Sequence, residues 1–174
     1  SARLGAVRPD VFIRAAERSG LITDITLRLL EKALRLAADW PGAARVSFNL
    51  SARDLRSSLS IDNIIGAVRA SGVDPRRIEF EITETAMLSD FEQACEALSR
   101  LKAMGCRIAV DDFGAGYSSF SYLRQFSVDK LKIDQTFIQY VASNRDDAAI
   151  SVAIIGLAKN LRIKVIAEGV ETEA

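Results

Sequence analysis

Residues 109–119 read AVDDFGAGYSS, an apolar run that leads directly into two adjacent aspartates and a glycine-rich loop. Ionised carboxylates repel each other and lose hydration when they are buried, so Asp111 and Asp112 need a cation, a proton or hydrogen bonds to compensate them. The glycines that follow allow backbone conformations that other residues avoid. The stretch therefore predicts a buried strand that ends at a divalent metal site.

The composition indicates one globular domain and excludes several classes of chemistry. The chain has 174 residues, of which 49% are hydrophobic and 26% charged, and its formal net charge is zero. A neutral chain offers no general attraction for a nucleic acid polymer, and no apolar run is long enough to enter a membrane, so we expect a cytoplasmic setting. The absence of histidine excludes Ser-His-Asp and Cys-His catalysis and histidine-bound zinc. Cys95 and Cys106 have no zinc spacing and are expected in the core.

Short apolar runs of strand length alternate with longer stretches of helical period. The strand runs are VSFNL at 46–50, IEFEI at 78–82, RIAVD at 107–111, KLKID at 130–134 and KVIAE at 164–168. The clearest helix covers 90–104, with a capping-box pattern from Ser89 to Glu92 before it, and a second, at 149–161, is apolar nearly all round and expected to be well covered. This alternation predicts parallel βα units.

Polar residues stand at the end of each predicted strand. In parallel α/β folds, whether open sheets or barrels, ligands gather beyond the carboxyl ends of the strands. We therefore expect these residues to form one site. They are Asn49, Glu81, Asp111, Asp112, Lys132, Asp134 and Glu168.

Taken singly, several of these residues have ordinary structural explanations. Asn49 could begin a turn, and Glu79 with Glu81 could alternate on a half-exposed edge strand. The tripeptide Asp-Phe-Gly at 112–114 also occurs in protein kinases, but their catalytic loop needs a histidine, which this chain lacks. The regular acid spacing of a calcium-binding helical hairpin is absent as well.

Considered together, the oxygen-rich residues predict a pair of hard cations. Mg²⁺ and Mn²⁺ prefer oxygen ligands, and two such ions can stabilise the entering and leaving oxygens of a phosphodiester. Asp111 is placed to bridge them. Asn49 and Glu81 would complete the ligands of one ion, and Asp112 and Glu168 those of the other. Lys132 could orient a water molecule or offset charge in the transition state.

Five motifs on this chain resemble the EAL domain, a bacterial cyclic-di-GMP phosphodiesterase family. They are FNLSARDL at 48–55, EITET at 81–85, DDFGAGYSS at 111–119, DKLKID at 129–134 and AEGVET at 167–172. The resemblance implies hydrolysis of cyclic di-GMP to linear pGpG with Mg²⁺ or Mn²⁺ bound. It also implies that Lys132, Asp111 and Glu168 are catalytic, and that Asn49, Glu81, Asp111, Asp112 and Glu168 bind metal. By the same resemblance, Glu84 holds the 111–119 loop, and Asp134 and Glu171 support the site.

The resemblance also implies an α/β fold, a TIM-like (β/α)8 barrel of which about five of the eight strands are present. Residues 1–174 are then expected to be a single partial domain, truncated at both ends, because the Glu-Ala-Leu strand and the last strand are missing. The expected partners are cyclic di-GMP, a second copy of the chain and a sensory or diguanylate cyclase domain. The alternative function is a cyclic-di-GMP receptor or protein-interaction module without turnover, and the unit could belong to a membrane-anchored protein.

Overall fold

The computed structural model describes residues 5–42, 44–115, 123 and 125–170. Within these residues the chain forms a five-stranded, fully parallel sheet whose strands are neighbours in chain order. The predicted strands are confirmed, with ends that differ by a few residues at most. They are β1 (Val46–Asn49), β2 (Ile78–Thr83), β3 (Arg107–Phe113), β4 (Lys130–Ile133) and β5 (Lys164–Ala167).

The sequential strand order explains why the sheet has two different faces. Right-handed crossovers between strands that follow one another place the intervening helices on one side, as in a barrel, whereas a doubly wound sheet reverses its order. On the helix side the strands carry residues such as Phe80 and Leu131, which are fully buried. On the opposite side the register aligns Asn49 with Glu81, the arrangement expected for a barrel interior.

In the described residues, two helices precede the sheet and others connect β1 to β2, β2 to β3 and β4 to β5. They are α1 (Pro9–Ser19), α2 (Ile22–Ala38), α3 (Ala52–Leu55), α4 (Ser58–Ser71), α5 (Glu84–Leu88), α6 (Phe91–Ala103), α7 (Gln135–Ile138) and α8 (Arg145–Leu161). A 3₁₀ turn at Pro75–Arg77 leads into β2. The short helices α3, α5 and α7 each begin within three residues of the end of a strand.

Local sequence signals set most of the helix ends. Pro9 opens α1, and Gly20, with a φ of 80°, ends it in the left-handed conformation. The predicted capping box from Ser89 to Glu92 is wrong, because Asp90 is the N-cap of α6 and accepts a hydrogen bond from the Gln93 amide. A carboxylate one residue further along makes this bond in place of the Ser89 hydroxyl, which donates to the Ala86 carbonyl.

One continuous hydrophobic core lies between the sheet and the helices. It includes Phe80, Phe113 and Leu98, all less than 2% exposed, and truncating such an aromatic residue to alanine typically costs about 3–5 kcal/mol. The expectation that the last helix is well covered is wrong, because Val152 and Ile155 on α8 are exposed. None of the helices in the described part of the chain combines the length and hydrophobicity needed to cross a lipid bilayer.

Candidate metal centre

Three strand ends meet at one ammonium group. The Nζ atom of Lys132, on β4, lies 3.1 Å from Oε2 of Glu81 on β2, 3.0 Å from Oδ1 of Asp111 on β3 and 2.7 Å from Oε1 of Glu168, which follows β5. The side chain of Lys132 is 15% exposed. The expectation that polar residues from separate βα units converge at the carboxyl edge of the sheet is confirmed for these four residues.

A distortion of β3 brings Asp112 into the same cluster. Side chains of consecutive strand residues normally point to opposite faces. Here the pairing of β3 with β4 shifts its register between Val110 and Phe113, and Asp112 has a positive φ of 51°. As a result, Asp111, Asp112 and Glu168 each offer a carboxylate oxygen, and these oxygens lie within 4.8 Å of one another. Aspartate tolerates this backbone conformation better than most residues.

Burial and the neighbouring charges shift the pKa values of two groups in the cluster. Desolvation, followed by the charges of Asp111, Asp134 and Glu168, raises the pKa of the Asp112 carboxyl. Burial by itself would lower the pKa of the Lys132 ammonium, but its hydrogen bonds to Glu168, Asp111 and Glu81 outweigh burial and raise that pKa. Lys132 is therefore a permanent cation near neutral pH and has no proton-accepting form to act as a base.

The donor set of the cluster fits a hard divalent cation. Carboxylate oxygens are the ligands that Mg²⁺ and Mn²⁺ prefer, and several carboxylates at this spacing favour a cation between them. Asp111, Asp112 and Glu168 supply such oxygens from two neighbouring segments. The Glu81 carboxylate contacts the same Lys132 ammonium as Asp111 and Glu168 do, so it lies beside this group of oxygens.

The other predicted site residues occupy different positions. Asn49 ends β1, directly beside Glu81 in the sheet register, and lines a cavity of about 590 Å³ with Phe48, Ile25 and Thr83. Glu84 is buried at the start of α5 and its Oε2 accepts a hydrogen bond from the Gly114 amide at 3.1 Å. This contact holds the chain where it leaves Asp112.

Asp134 and Glu171 complete the predicted set. Asp134 is the N-cap of α7 and accepts a hydrogen bond from the Thr136 amide at 2.7 Å, so it shapes the turn after β4. The negative charge of Asp134 also contributes to raising the pKa of the Asp112 carboxyl. Glu171, like residues 116–119 of the glycine-rich loop, lies outside the described residues.

The barrel-side face of the sheet carries a second ion pair that sequence analysis missed. Glu79 is 2% exposed, forms an ion pair with Lys130 and accepts a hydrogen bond from the Ser47 hydroxyl at 3.3 Å. The strand between β2 and β4 is β3, and its Ala109 is aligned with Glu81 on one side and Lys130 on the other. The small side chain of Ala109 leaves room for the ion pair between Glu79 and Lys130. The alternative of a half-exposed edge strand is wrong, since β2 lies inside the sheet and both Glu79 and Glu81 are buried.

A buried carboxylate, Asp54 on α3, was also missed. It is fully buried and accepts hydrogen bonds from Thr26, Ser51 and Ser60. The spacing from Ser51 to Asp54 is that of a capping box with aspartate in the third position, a signal that the sequence does contain. The tertiary contacts with Thr26 and Ser60 have no local signature.

Comparison with known proteins gives a consistent family assignment. The EAL domain family matches residues 1–174. The chain is 37% identical over 174 residues to the bifunctional diguanylate cyclase/cyclic di-GMP phosphodiesterase MucR of Pseudomonas aeruginosa, covering 98% of this chain and 25% of MucR. It is 37% identical over 172 residues to the cyclic di-GMP phosphodiesterase NbdA of the same organism, covering 97% of this chain and 22% of NbdA. The chain thus spans about a quarter of the length of these curated relatives.

Solved structures agree in fold as well as in sequence. The MucR phosphodiesterase in complex with c-di-GMP superposes with a TM-score of 0.92 at 36% identity, covering 99% of this chain and 72% of that one. A manganese and c-di-GMP complex of BlrP1 from Klebsiella pneumoniae gives a TM-score of 0.78 at 31% identity, covering 87% of this chain and 39% of that one. With the matched family, the parallel sheet and the carboxylate cluster in agreement, the chain belongs to the EAL domain family.

Proposed function

We propose that this chain hydrolyses one phosphodiester bond of cyclic di-GMP to give linear pGpG, using Mg²⁺ or Mn²⁺. The observation that carries the proposal is the convergence of Glu81, Asp111 and Glu168 on Lys132, with Asp112 alongside. Support comes from the relatives MucR and NbdA, whose names include cyclic di-GMP phosphodiesterase, and from the manganese and c-di-GMP complex of BlrP1.

The five oxygen-bearing residues divide between two cation positions in this proposal. Asp111 lies centrally in the sheet and would be shared by both ions, Asn49 and Glu81 would hold one ion, and Asp112 and Glu168 would hold the other. When bound, a pair of divalent cations makes a water molecule more acidic and offsets charge on the phosphodiester oxygens. Asn49 is the neutral member of the set, so it adds an oxygen without adding to the repulsion among the carboxylates.

Lys132 has an electrostatic role in the reaction. Its ammonium is held at three points and remains charged, which fixes a positive group beside Asp111 and Glu168. A cation that is already oriented stabilises charge that develops on the phosphate without reorganising. Lys132 therefore offsets negative charge in the transition state, and it would orient the attacking water only by exchanging one of its three carboxylate contacts for a hydrogen bond to that water.

Three further acidic residues have supporting roles in this proposal. Glu84 fixes the start of the 111–119 loop through Gly114, and Asp134 shapes the turn after Lys132. Glu171 is proposed as a further acidic support on the basis of the family motif.

Since MucR combines cyclase and phosphodiesterase activities, we propose that this unit works in the bacterial cytoplasm beside a diguanylate cyclase or sensory domain, as a homodimer.

The experiment is incubation of the purified protein with cyclic di-GMP and Mn²⁺, followed by chromatographic detection of pGpG. Asp111→Asn keeps the size of the side chain but removes the charge that faces Lys132, so product should disappear. The control is Asp74→Asn, since Asp74 pairs with Arg76 at the surface and should be dispensable for turnover. Binding of cyclic di-GMP without product, or product formation by the Asp111→Asn variant at the wild-type rate, would contradict the proposal.

A further inference from the structure

Asp54 forms a fully buried hydrogen-bond hub five residues after Asn49. Its Oδ2 accepts three bonds, from the Ser51 amide at 2.9 Å, the Ser51 hydroxyl at 2.6 Å and the Thr26 hydroxyl at 3.1 Å. Its Oδ1 accepts a fourth, from the Ser60 hydroxyl at 3.0 Å. The relative exposure of Asp54 is 0%. A buried carboxylate needs such donors, and bonds to it are stronger than those to a neutral acceptor.

The hub joins three elements around the turn that follows β1. Thr26 belongs to α2, Ser51 is the N-cap of α3 and Ser60 belongs to α4. An ordinary capping box needs only the two reciprocal bonds between Ser51 and Asp54. The additional bonds attach this cap to two long helices, which gives the turn at 49–51 a fixed position relative to the helical layer.

The same turn is also attached to the sheet. The Leu50 amide donates a hydrogen bond to the Glu81 carbonyl at 2.9 Å, and Asn49 pairs with Glu81 in the register of β1 and β2. The segment Asn49-Leu50-Ser51 is therefore held by the β2 backbone on one side and by the Asp54 carboxylate on the other. These two attachments limit the directions in which the Asn49 side chain can point.

We propose that Asp54 is a positioning residue that holds Asn49 beside Glu81 in the geometry required to bind a divalent cation. The inference rests on the proposed function, because it assigns Asn49 to the cation site. Residues that orient ligands from behind in this way commonly change metal affinity about 10–100-fold when they are replaced. Asp54 is buried on α3, where it faces α2 and α4, and it acts on Asn49 only through the turn at 49–51.

The test is the affinity of the purified protein for Mn²⁺, measured by titration calorimetry, alongside the thermal unfolding midpoint. Asp54→Ala should weaken Mn²⁺ binding about 10–100-fold, and Asn49→Ala should weaken it similarly. Asp54→Asn should recover most of the affinity, because its amide oxygen can still accept from Ser51 while its NH₂ group turns to the Ser60 hydroxyl. Thr26→Val removes one of the four donors without changing side-chain size and should weaken binding less, in the same direction.

The matched control is Ser57→Ala, which removes the N-cap of α4 and leaves the Asp54 contacts intact. It should lower the unfolding midpoint without changing Mn²⁺ affinity. If Asp54→Ala and Thr26→Val lose only stability, as the control does, while Asn49→Ala loses affinity, the positioning role is overturned and the proposed function stands. If Asp54→Ala does not fold, Thr26→Val decides by the same criterion. If the wild-type protein binds no Mn²⁺, the proposed function and this inference fall together.

Discussion

The Nζ atom of Lys132 lies 2.7 Å from Oε1 of Glu168, a contact that joins β4 to the end of β5. The same nitrogen also contacts Glu81 and Asp111, so one positive charge compensates carboxylates from three other segments of the sheet. Bound divalent cations would compensate the same carboxylates. Lysine and metal therefore have overlapping electrostatic roles at this site.

Replacement of Lys132 by methionine should make stability strongly dependent on metal. Without the ammonium, the three carboxylates repel each other. In the presence of EDTA, the free energy of unfolding of Lys132→Met should therefore be about 1–3 kcal/mol lower than that of the wild type, a range that is reduced because these side chains are partly exposed to solvent. Urea unfolding with and without Mn²⁺ measures the effect, and Mn²⁺ should stabilise Lys132→Met more than the wild type.

The control for this prediction is Lys102→Met. Lys102 pairs with Asp129 at 2.7 Å, away from the carboxylate cluster, so this variant should lose stability without an enhanced response to Mn²⁺. Equal stabilisation of Lys132→Met and the wild type by Mn²⁺ would show that the lysine and the cations do not share the same carboxylates.

Glu84 should control turnover through the backbone of the loop that follows Asp112. Glu84→Ala removes the acceptor for the Gly114 amide, 3.1 Å away, and frees the chain beside two cation ligands. Because small displacements of catalytic groups can cost on the order of 100-fold in rate, we expect a loss of about 10- to 100-fold in kcat for cyclic di-GMP. Glu84→Gln keeps an acceptor and should lose less.

The control here is Glu92→Gln, an exposed acid in the first turn of α6. Its rate of pGpG formation should match the wild type. A Glu84→Ala variant with wild-type turnover would mean that the Gly114 contact does not hold the loop in its working position.

Much of the fold follows from periodicity in the sequence. The apolar runs at 46–50, 78–82 and 130–134 predict strands β1, β2 and β4 with small errors at the ends, because buried parallel strands are continuously apolar on the helix side. The convergence of Glu81, Asp111 and Glu168 was also predictable, since the carboxyl ends of parallel strands share one edge.

The parts that escaped sequence analysis depend on tertiary contacts. The sequence places Asp111 and Asp112 in one site, but it gives no sign of the register shift against β4 that brings them together despite the alternation of side chains along β3. Arg77 donates hydrogen bonds to the Ala37 and Ala44 carbonyls near the end of α2, more than thirty residues away in sequence. Neither feature produces a local pattern, because the partner that determines it lies in another element.

Cys106 should make stability fall at alkaline pH. Burial raises the pKa of its thiol from 9.0 to about 11. The unfolded chain therefore loses this proton at a lower pH than the folded protein does. The stability linked to the neutral thiol is fully present below pH 9.0 and is lost as the pH rises towards about 11, by about 1 kcal/mol between pH 8 and pH 10.

Urea unfolding of the wild type and Cys106→Ala at both pH values isolates this effect, because other titrating groups are common to the two proteins. The free-energy difference between them should shrink at high pH. Cys95→Ala is the matched control, since Cys95 is only half-buried and should show a smaller change. A difference that is independent of pH would mean that Cys106 ionises equally in the folded and unfolded chains.

Gly169 should be intolerant of any side chain, because it lies next to Glu168 in a crowded, left-handed turn. Its φ is +71°, and a Cβ atom added there would lie 2.8 Å from the Cβ of Gln135. We expect Gly169→Ala to lower the free energy of unfolding by about 1–3 kcal/mol and to reduce turnover, since relief of the clash displaces Glu168 from Lys132. Trimming Gln135 to alanine in the same protein should not rescue it, because the clashing Cβ remains.

The matched control is Gly66→Ala. Gly66 is exposed within α4, and nothing lies within 4 Å of a Cβ atom added there. This variant should be stabilised by about 0.5–1 kcal/mol, with turnover unchanged. If urea unfolding shows Gly169→Ala to be as stable as the wild type and its pGpG formation is normal, the turn after β5 does not set the position of Glu168.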